Sequence, residues 1–157
     1  MNILLDTYKL LKKISGKKTE NFTGVGLVIY NPECFDENCH CNLRPDIECP
    51  NYHIADDRMC DYLLEIADHD NTLHDGFHMI DSEGILTHVA QYFVPPVNQS
   101  LKPNQGHGVR LYSSMCGSVL EGVLYIGVVS SNYDIYIFSN GDYVNLNEIE
   151  GRLTDEK

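Results

Sequence analysis

Five short apolar runs, each bounded by turn-forming residues, constrain the fold of this chain more than any other feature. They are "VGLVIY" (Val25–Tyr30), "GFHMI", "GILTHVAQYFV", "VLYIGVVS" and "DIYIFS". Runs of this length that are rich in β-branched and aromatic residues predict strands. "DSEG" at 81–84 and "NG" at 140–141 predict two hairpin turns, and "DYVNL" predicts a last short strand after the second turn.

Three segments with helical periodicity lie between these strands. Residues 2–13 place their apolar side chains on one side, and residues 56–70 do so again, with Asp56 or Asp57 as the predicted N-cap. "RLYSSMCGSVLEG" at 110–122 predicts the third helix. The order αβ(insert)αββαβββ is typical of an α/β domain in which helices flank a central mixed sheet.

Length and charge limit the organisation and the partners. A chain of 157 residues that is 43% hydrophobic suits one domain, 1–157. A net charge of −12 argues against nucleic acid, which needs clustered Lys and Arg, but a small phosphorylated ligand needs only local positive charge. No run approaches the roughly 20 apolar residues of a membrane span, so we expect a cytoplasmic protein that does not contact membranes.

Residues 31–54 interrupt the periodicity and are interpreted as a Cys/His-rich insert outside the core. Its cysteines and one histidine follow the spacing C-x4-C-x-C-x7-C-x3-H, formed by Cys34, Cys39, Cys41, Cys49 and His53. Zinc takes four such ligands in a tetrahedron, and a loop with little core gains stability from it. We therefore expect one structural zinc bound by Cys34, Cys39 and Cys41 with Cys49 or His53. The alternative is a polar loop with free or reversibly oxidised thiols.

The stretch "TLHDGFHMIDSEGIL" at 72–86 places Asp75 and Gly76 directly before an apolar strand. This position holds a carboxylate at a rigid edge, where a metal ion or a sugar hydroxyl can reach it. The alternative is an aspartate that only caps the start of the strand. His78 and His88 lie on either side of the hairpin turn, and we expect them to pair across the strands or to face solvent rather than bind metal.

These pieces together resemble the diadenylate cyclase domain family. "GVGLVIY" is similar to the family strand G-A-L-I-V, and "LLEIADHDNTLHDGFHMIDSEGIL" looks like its helix, its Leu-His-Asp-Gly-Ala motif and the following hairpin. "AQYFVPP" and "YIGVVSSNYDIYIFSNGDYV" are similar to later family strands, and "GVRLYSSMCGS" falls where the family has G-T-R-H-R-A-A and then a Ser. The resemblance covers most of the chain except the insert and the C-terminal end.

The resemblance implies roles for several residues. In the family, two domains face each other and each holds one ATP, so a homo-oligomer is expected. Asp75 would hold Mg²⁺ or Mn²⁺ and meet the ribose, as the catalytic residue of an active enzyme. Gly76 would let the nucleotide approach the backbone, and Leu73 would pack near the base. Gly108, Arg110 and Ser118 would complete the nucleotide site.

The Arg-His-Arg element of the family is degenerate here. Arg110 keeps the first Arg, whereas Val109, Leu111 and Tyr112 replace Thr, His and the second Arg. Because phosphoryl transfer depends on electrostatic stabilisation, these replacements predict a rate lower by several orders of magnitude. For His107 in the preceding loop, the sequence leaves two alternatives open, a phosphate contact or a mobile loop residue.

The sequence is consistent with two functions and with a third, less favoured one. The favoured one is a sensor-type domain that binds ATP or a cyclic dinucleotide without efficient turnover. The alternative is an active diadenylate cyclase that converts two ATP to cyclic di-AMP. The third is an interaction module whose cleft is vestigial.

Overall fold

The computed structural model describes residues 2–102 and 108–155, and the predicted phosphate contact of His107 lies outside them. Within the described residues the α-helices and strands are α1 Ile3–Gly16, β1 Val25–Tyr30, β2 His40–Asn42, α2 Asp57–Ile66, β3 Phe77–Asp81, β4 Leu86–Phe93, α3 Val109–Gly117, β5 Val123–Val129, β6 Ile135–Ser139, β7 Asp142–Tyr143 and α4 Leu146–Asp155. They follow the expected α/β order, and the two that were not expected are β2 and α4.

The described strands form one mixed sheet of seven, in the order β2-β4-β3-β1-β5-β6-β7. β1 pairs with β3 in parallel, and every other neighbouring pair is antiparallel. The fold is therefore a single α/β domain with a central mixed sheet flanked by helices, as the sequence predicts. The hairpin β3–β4 and the Asn140–Gly141 turn between β6 and β7 are confirmed as well.

Helices cover both faces of the sheet, and β1 shows why the strand is apolar throughout. One face of β1 carries the side chains of Val25, Leu27 and Ile29, which pack against α1, α2 and α4. Val28 and Tyr30 point to the other face, where Met115 of α3 packs. A strand that is buried on both faces has no solvent side, so its side chains are all apolar.

Two parts of the chain differ from the expectation. The insert at 31–54 was expected to lie outside the core, but it supplies β2, which pairs antiparallel with the end of β4, and it buries the side chain of Phe35. Helix α4 was not predicted. Its N-terminal amides at Asn147 and Glu148 donate to the Asn145 side chain, and Ile149 packs into the core.

Candidate functional site

A cleft of about 460 Å³ opens where the start of β3, the end of β4 and the start of α3 meet. Both charged residues that the sequence places at the site, Asp75 and Arg110, line it, together with Gly76 and Val109. The other lining residues were not expected from the sequence, and they are Leu43, Phe77, Tyr92, Phe93 and Ser113. The structure thus brings Asp75 and Arg110 into one cleft with apolar and aromatic walls.

Asp75 presents its carboxylate to solvent at the mouth of this cleft. Its side chain is 76% exposed, and Oδ1 lies 3.4 Å from Nδ1 of His74. Gly76 follows with a φ of 84°, a conformation that favours glycine. A Cβ at Gly76 would lie 2.4 Å from the carbonyl oxygen of Gln91. The glycine is therefore required by the approach of the β4 backbone, independently of any ligand.

Arg110 is largely buried and is held from the other side of the cleft. Its Nη1 donates a hydrogen bond of 3.1 Å to the carbonyl oxygen of Thr23. Burial lowers the pKa of the guanidinium, and the charge of Asp75 opposes this effect. Among the described residues Arg110 forms no ion pair with a carboxylate. Arg110 thus brings a positive charge to the wall of the cleft, an arrangement suited to an anion.

His78 lies on β3 and is buried, whereas the sequence led us to expect it to pair with His88 across the strands or to face solvent. Its Nδ1 accepts a hydrogen bond of 3.0 Å from the backbone N–H of Ala90. Burial, followed by the charge of Arg110, lowers the pKa of His78 to about 3. The imidazole is therefore neutral at pH 7, and it contributes no positive charge to the cleft.

A second pocket of about 280 Å³ shares Arg110 with the cleft. Gly108, the N-cap of α3, lines this pocket and has no side chain to cap the helix. The remaining walls are largely polar and come from Thr23, Leu111, Val128, Ser130, Ser131, Asn132, Asp134 and Tyr136. Arg110 and the N-terminus of α3 thus stand between the two spaces.

Two residues expected at the nucleotide site lie elsewhere. Leu73 is 7% exposed and packs into the hydrophobic core, not among the residues that line the cleft. Ser118 is 1% exposed, donates its hydroxyl to Met115 O at 2.7 Å and accepts from Gly141 N–H at 2.8 Å. Its hydrogen bonds tie the end of α3 to the β6–β7 turn, which is a structural role.

The predicted zinc ligands do not converge in the structure. Cys39 and Cys41 lie beside the end of β4, where Cys41 pairs with Tyr92 and Cys39 O accepts from Val94 N–H. Cys49 Sγ donates to Leu86 O at 3.3 Å, and His53 Nε2 lies 3.1 Å from Glu83 O, both near the start of β4. Since β4 has eight residues, its two ends, and the two groups of cysteines and histidine beside them, are separated by roughly 20 Å.

A site that joins Cys34, Cys39 and Cys41 with Cys49 or His53 is therefore not formed here. Within residues 2–102 and 108–155, no group of three or more His, Cys, Asp and Glu side chains could hold a metal ion. Zinc in the insert stays a prediction from the sequence.

A larger cavity than the cleft is open and acidic. It has a volume of about 610 Å³ and is lined by Thr19, Asp61, Leu64, Glu65, Asp68, Asp70 and Asn71. Its four carboxylates repel phosphate, whereas the smaller cleft offers Arg110. The charge of the walls, rather than volume, marks the cleft at Asp75 as the candidate site.

No protein-family model matches the chain, and no curated protein matches it in sequence. Solved structures match it in fold. A double mutant of DacA from Staphylococcus aureus, a diadenylate cyclase, aligns with a TM-score of 0.57 at 16% identity and covers 96% of this chain and 93% of that chain.

Another similar structure is that of "the hypothetical membrane spanning protein from Bacillus cereus". It has a TM-score of 0.58 and 19% identity, covers 90% of this chain, and is itself covered over 59% of its length. The domain described here thus has a diadenylate cyclase-like fold. In the part of this chain that the structure describes, no helix has the length and apolar character needed to cross a bilayer.

Proposed function

We propose that the chain is a nucleotide-binding domain of sensor type, which binds ATP or a cyclic dinucleotide in the cleft between Asp75 and Arg110 without efficient turnover. The observation that carries the proposal is the state of Arg110. A largely buried guanidinium, anchored at Thr23 and without an ion-pair partner among the described residues, faces a cleft with aromatic walls. The likeness in fold to a diadenylate cyclase supports the same ligand class.

The phosphate groups would bind at Arg110 and at the start of α3. The guanidinium carries five N–H donors, and within the described residues the bond to Thr23 is the one hydrogen bond that it makes. The N-cap residue Gly108 makes no side-chain bond to the first turn of α3, whose N–H groups add a partial positive charge. Together they provide charge-assisted contacts of about 1.5–3 kcal/mol each.

The base would pack on the aromatic side chains of the cleft. Tyr92 offers the accessible ring, since it is 56% exposed, whereas Phe77 and Phe93 are buried behind the cleft wall with ring centroids 5.3 Å apart. Exposed aromatic rings provide surfaces for stacking with a base, a contact worth about 1–3 kcal/mol in single-strand binding proteins. Tyr92 would take the role that the sequence led us to expect of Leu73.

Asp75 is the residue that would hold Mg²⁺ or Mn²⁺ with the nucleotide. The described residues offer one exposed carboxylate in the cleft, and such ions are held by one or two carboxylates together with substrate phosphates. The donor set therefore fits a cation that arrives with the nucleotide. Such a cation would supply positive charge to the phosphates.

Turnover requires fixed donors where charge develops, and the chain lacks them at three positions. Val109 is apolar and 84% exposed, and Leu111 is apolar. The Tyr112 hydroxyl donates to Leu101 O at 3.0 Å, so the loop before α3 already uses it. An active cyclase remains the alternative function, and it is favoured by the exposed position of Asp75 in the cleft.

Calorimetric titration with ATP and with cyclic di-AMP tests the proposal. Arg110→Ala should weaken binding about ten- to hundred-fold, because it removes one charge-assisted contact. Arg152→Ala is the matched control, since Arg152 is exposed on α4, and it should bind like the native protein. Absence of binding, or equal binding by the Arg110 and Arg152 variants, would refute the proposal.

A further inference from the structure

Two histidines from different strands meet on the α3 face of the sheet, and neither is among the residues that line the cleft. The rings of His40 on β2 and His88 on β4 are edge to face with centroids 5.2 Å apart. Both side chains are half-buried, between the core and solvent. Phe35 stacks on His40 with centroids 5.8 Å apart, and Tyr30 lies against His88 at 6.5 Å. Aromatic rings therefore wall the pair on the protein side.

The Nδ1 atom of each ring is engaged by a neutral partner. His40 Nδ1 lies 2.8 Å from Oε1 of Gln91, whose Nε2 donates to Val89 O at 3.0 Å. Because Gln91 presents its oxygen, His40 Nδ1 carries the proton and donates it. Nε2 of His40 is then the nitrogen with an available lone pair.

The hydrogen bonds of Thr87 indicate which ring nitrogen of His88 carries the proton. In the network that satisfies all three contacts, the Thr87 hydroxyl donates to Met79 O at 3.3 Å and accepts from His88 Nδ1 at 2.8 Å and from the Tyr30 hydroxyl at 2.7 Å. That network assigns the proton of His88 to Nδ1 as well. Both rings have their Nε2 lone pair available and their orientation set by a hydrogen bond on the opposite nitrogen, which is the usual arrangement of metal-binding histidines.

The separation of the rings suits one shared ion. With metal–nitrogen bonds of about 2.0–2.1 Å and a tetrahedral angle, two imidazole centroids lie roughly 5 Å apart.

We propose that His40 and His88 bind one divalent transition-metal ion of the Zn²⁺, Co²⁺ or Ni²⁺ class through their Nε2 atoms. In the described part of the chain no third His, Cys, Asp or Glu joins them, so water completes the coordination. The ion would join β2 to β4 beyond their three-residue pairing and so hold the Cys/His-rich segment on the sheet. This site differs from the predicted cysteine site in its ligands and does not depend on the proposed nucleotide function.

Cobalt titration of the full chain, followed by absorption spectroscopy, separates the two kinds of site. We expect one Co²⁺ per chain, weak visible bands and no cobalt–thiolate charge-transfer band. His40→Gln and His88→Gln should each weaken binding at least ten-fold. His69→Gln is the control, because His69 is exposed and stacks on His74 instead, and it should bind as the native chain does. A strong thiolate band, or unchanged binding in both variants of the pair, would overturn the proposal.

A second measurement, made on the native protein, tests the metal site even if the histidine variants fail to fold. In the native protein, paramagnetic Co²⁺ should broaden the ring-proton resonances of His40 and His88 before those of His69. The ion should also raise the Tm of the native chain and of His69→Gln, because it binds the folded state. Broadening that begins at His69, or equal broadening of every histidine, would contradict the assignment.

Discussion

The guanidinium of Arg110 is joined to the carbonyl oxygen of Thr23 by a hydrogen bond of 3.1 Å. This bond links the first turn of α3 to the segment that enters β1, and it holds the positive charge beside the cleft. Gly24 makes the contact possible, because a Cβ there would lie 2.6 Å from Arg110 Nη1. The position of the charge thus depends on the backbone of a distant segment as well as on the Arg itself.

Incubation with ATP and Mn²⁺ should yield no cyclic di-AMP above a blank without protein. The reason is that Val109, Leu111 and Tyr112 place no donor where phosphate charge would develop. Chromatography of the reaction measures the product. Product above the blank, abolished by Asp75→Asn and retained in Asp70→Asn, would show instead that the chain is an active cyclase.

Ser118→Ala should destabilise the protein by about 1–3 kcal/mol and leave nucleotide affinity unchanged. The substitution leaves the buried Gly141 N–H without its acceptor. Urea unfolding measures the free energy, and calorimetry measures the affinity. Ser113→Ala is the matched variant, since Ser113 lines the cleft on the same helix, and it should have the smaller effect on stability. A loss of affinity in Ser118→Ala at unchanged stability would return Ser118 to the binding site.

The stability of the protein should fall between pH 7 and pH 5, with His78 as a main cause. Its folded pKa of about 3 lies below the ordinary value, so the unfolded chain binds the proton first as the pH falls. The contribution is complete above about pH 6.5 and decreases below it, by about 2 kcal/mol at pH 5.

His78→Gln tests this, because its amide oxygen can still accept from Ala90 N–H. Urea unfolding at both pH values should show a smaller decrease for the variant than for the native chain. His88, whose pKa is also lowered, acts in the same direction and remains in both proteins. An equal decrease in both would exclude His78 as the cause.

The main elements of the fold were predictable because their signals are local. β1 is apolar along its whole length, and the β3–β4 and β6–β7 turns carry Gly with Asp, Ser or Asn. Helix α4 was missed although Leu146, Ile149 and Leu153 recur at helical spacing, because the segment is short and contains Gly151. β2 has three residues at the sheet edge and is stabilised by pairing with β4, which a local pattern does not reveal.

The residues of the candidate site were predictable only where the local sequence pattern or the resemblance to the family indicated them. Asp75 stood out because a carboxylate and a glycine precede an apolar strand, whereas Arg110 was placed at the site by the resemblance to the family's Arg-His-Arg element. Tyr92 and Phe93 join the site through the pairing and bulges of β4, and the sequence shows no sign of this. Leu73 and Ser118 were placed there by resemblance, and tertiary packing buries both.

Backbone amide chemical shifts followed by NMR during titration with ATP and Mg²⁺ test the central claim most directly. Binding in the cleft should produce saturable changes that are largest at 75–77, 92–93 and 109–113, and Arg110→Ala should reduce them. The acidic cavity around Asp61 and Glu65 should change little. Changes centred on that cavity, or no saturable change anywhere, would contradict nucleotide binding between Asp75 and Arg110.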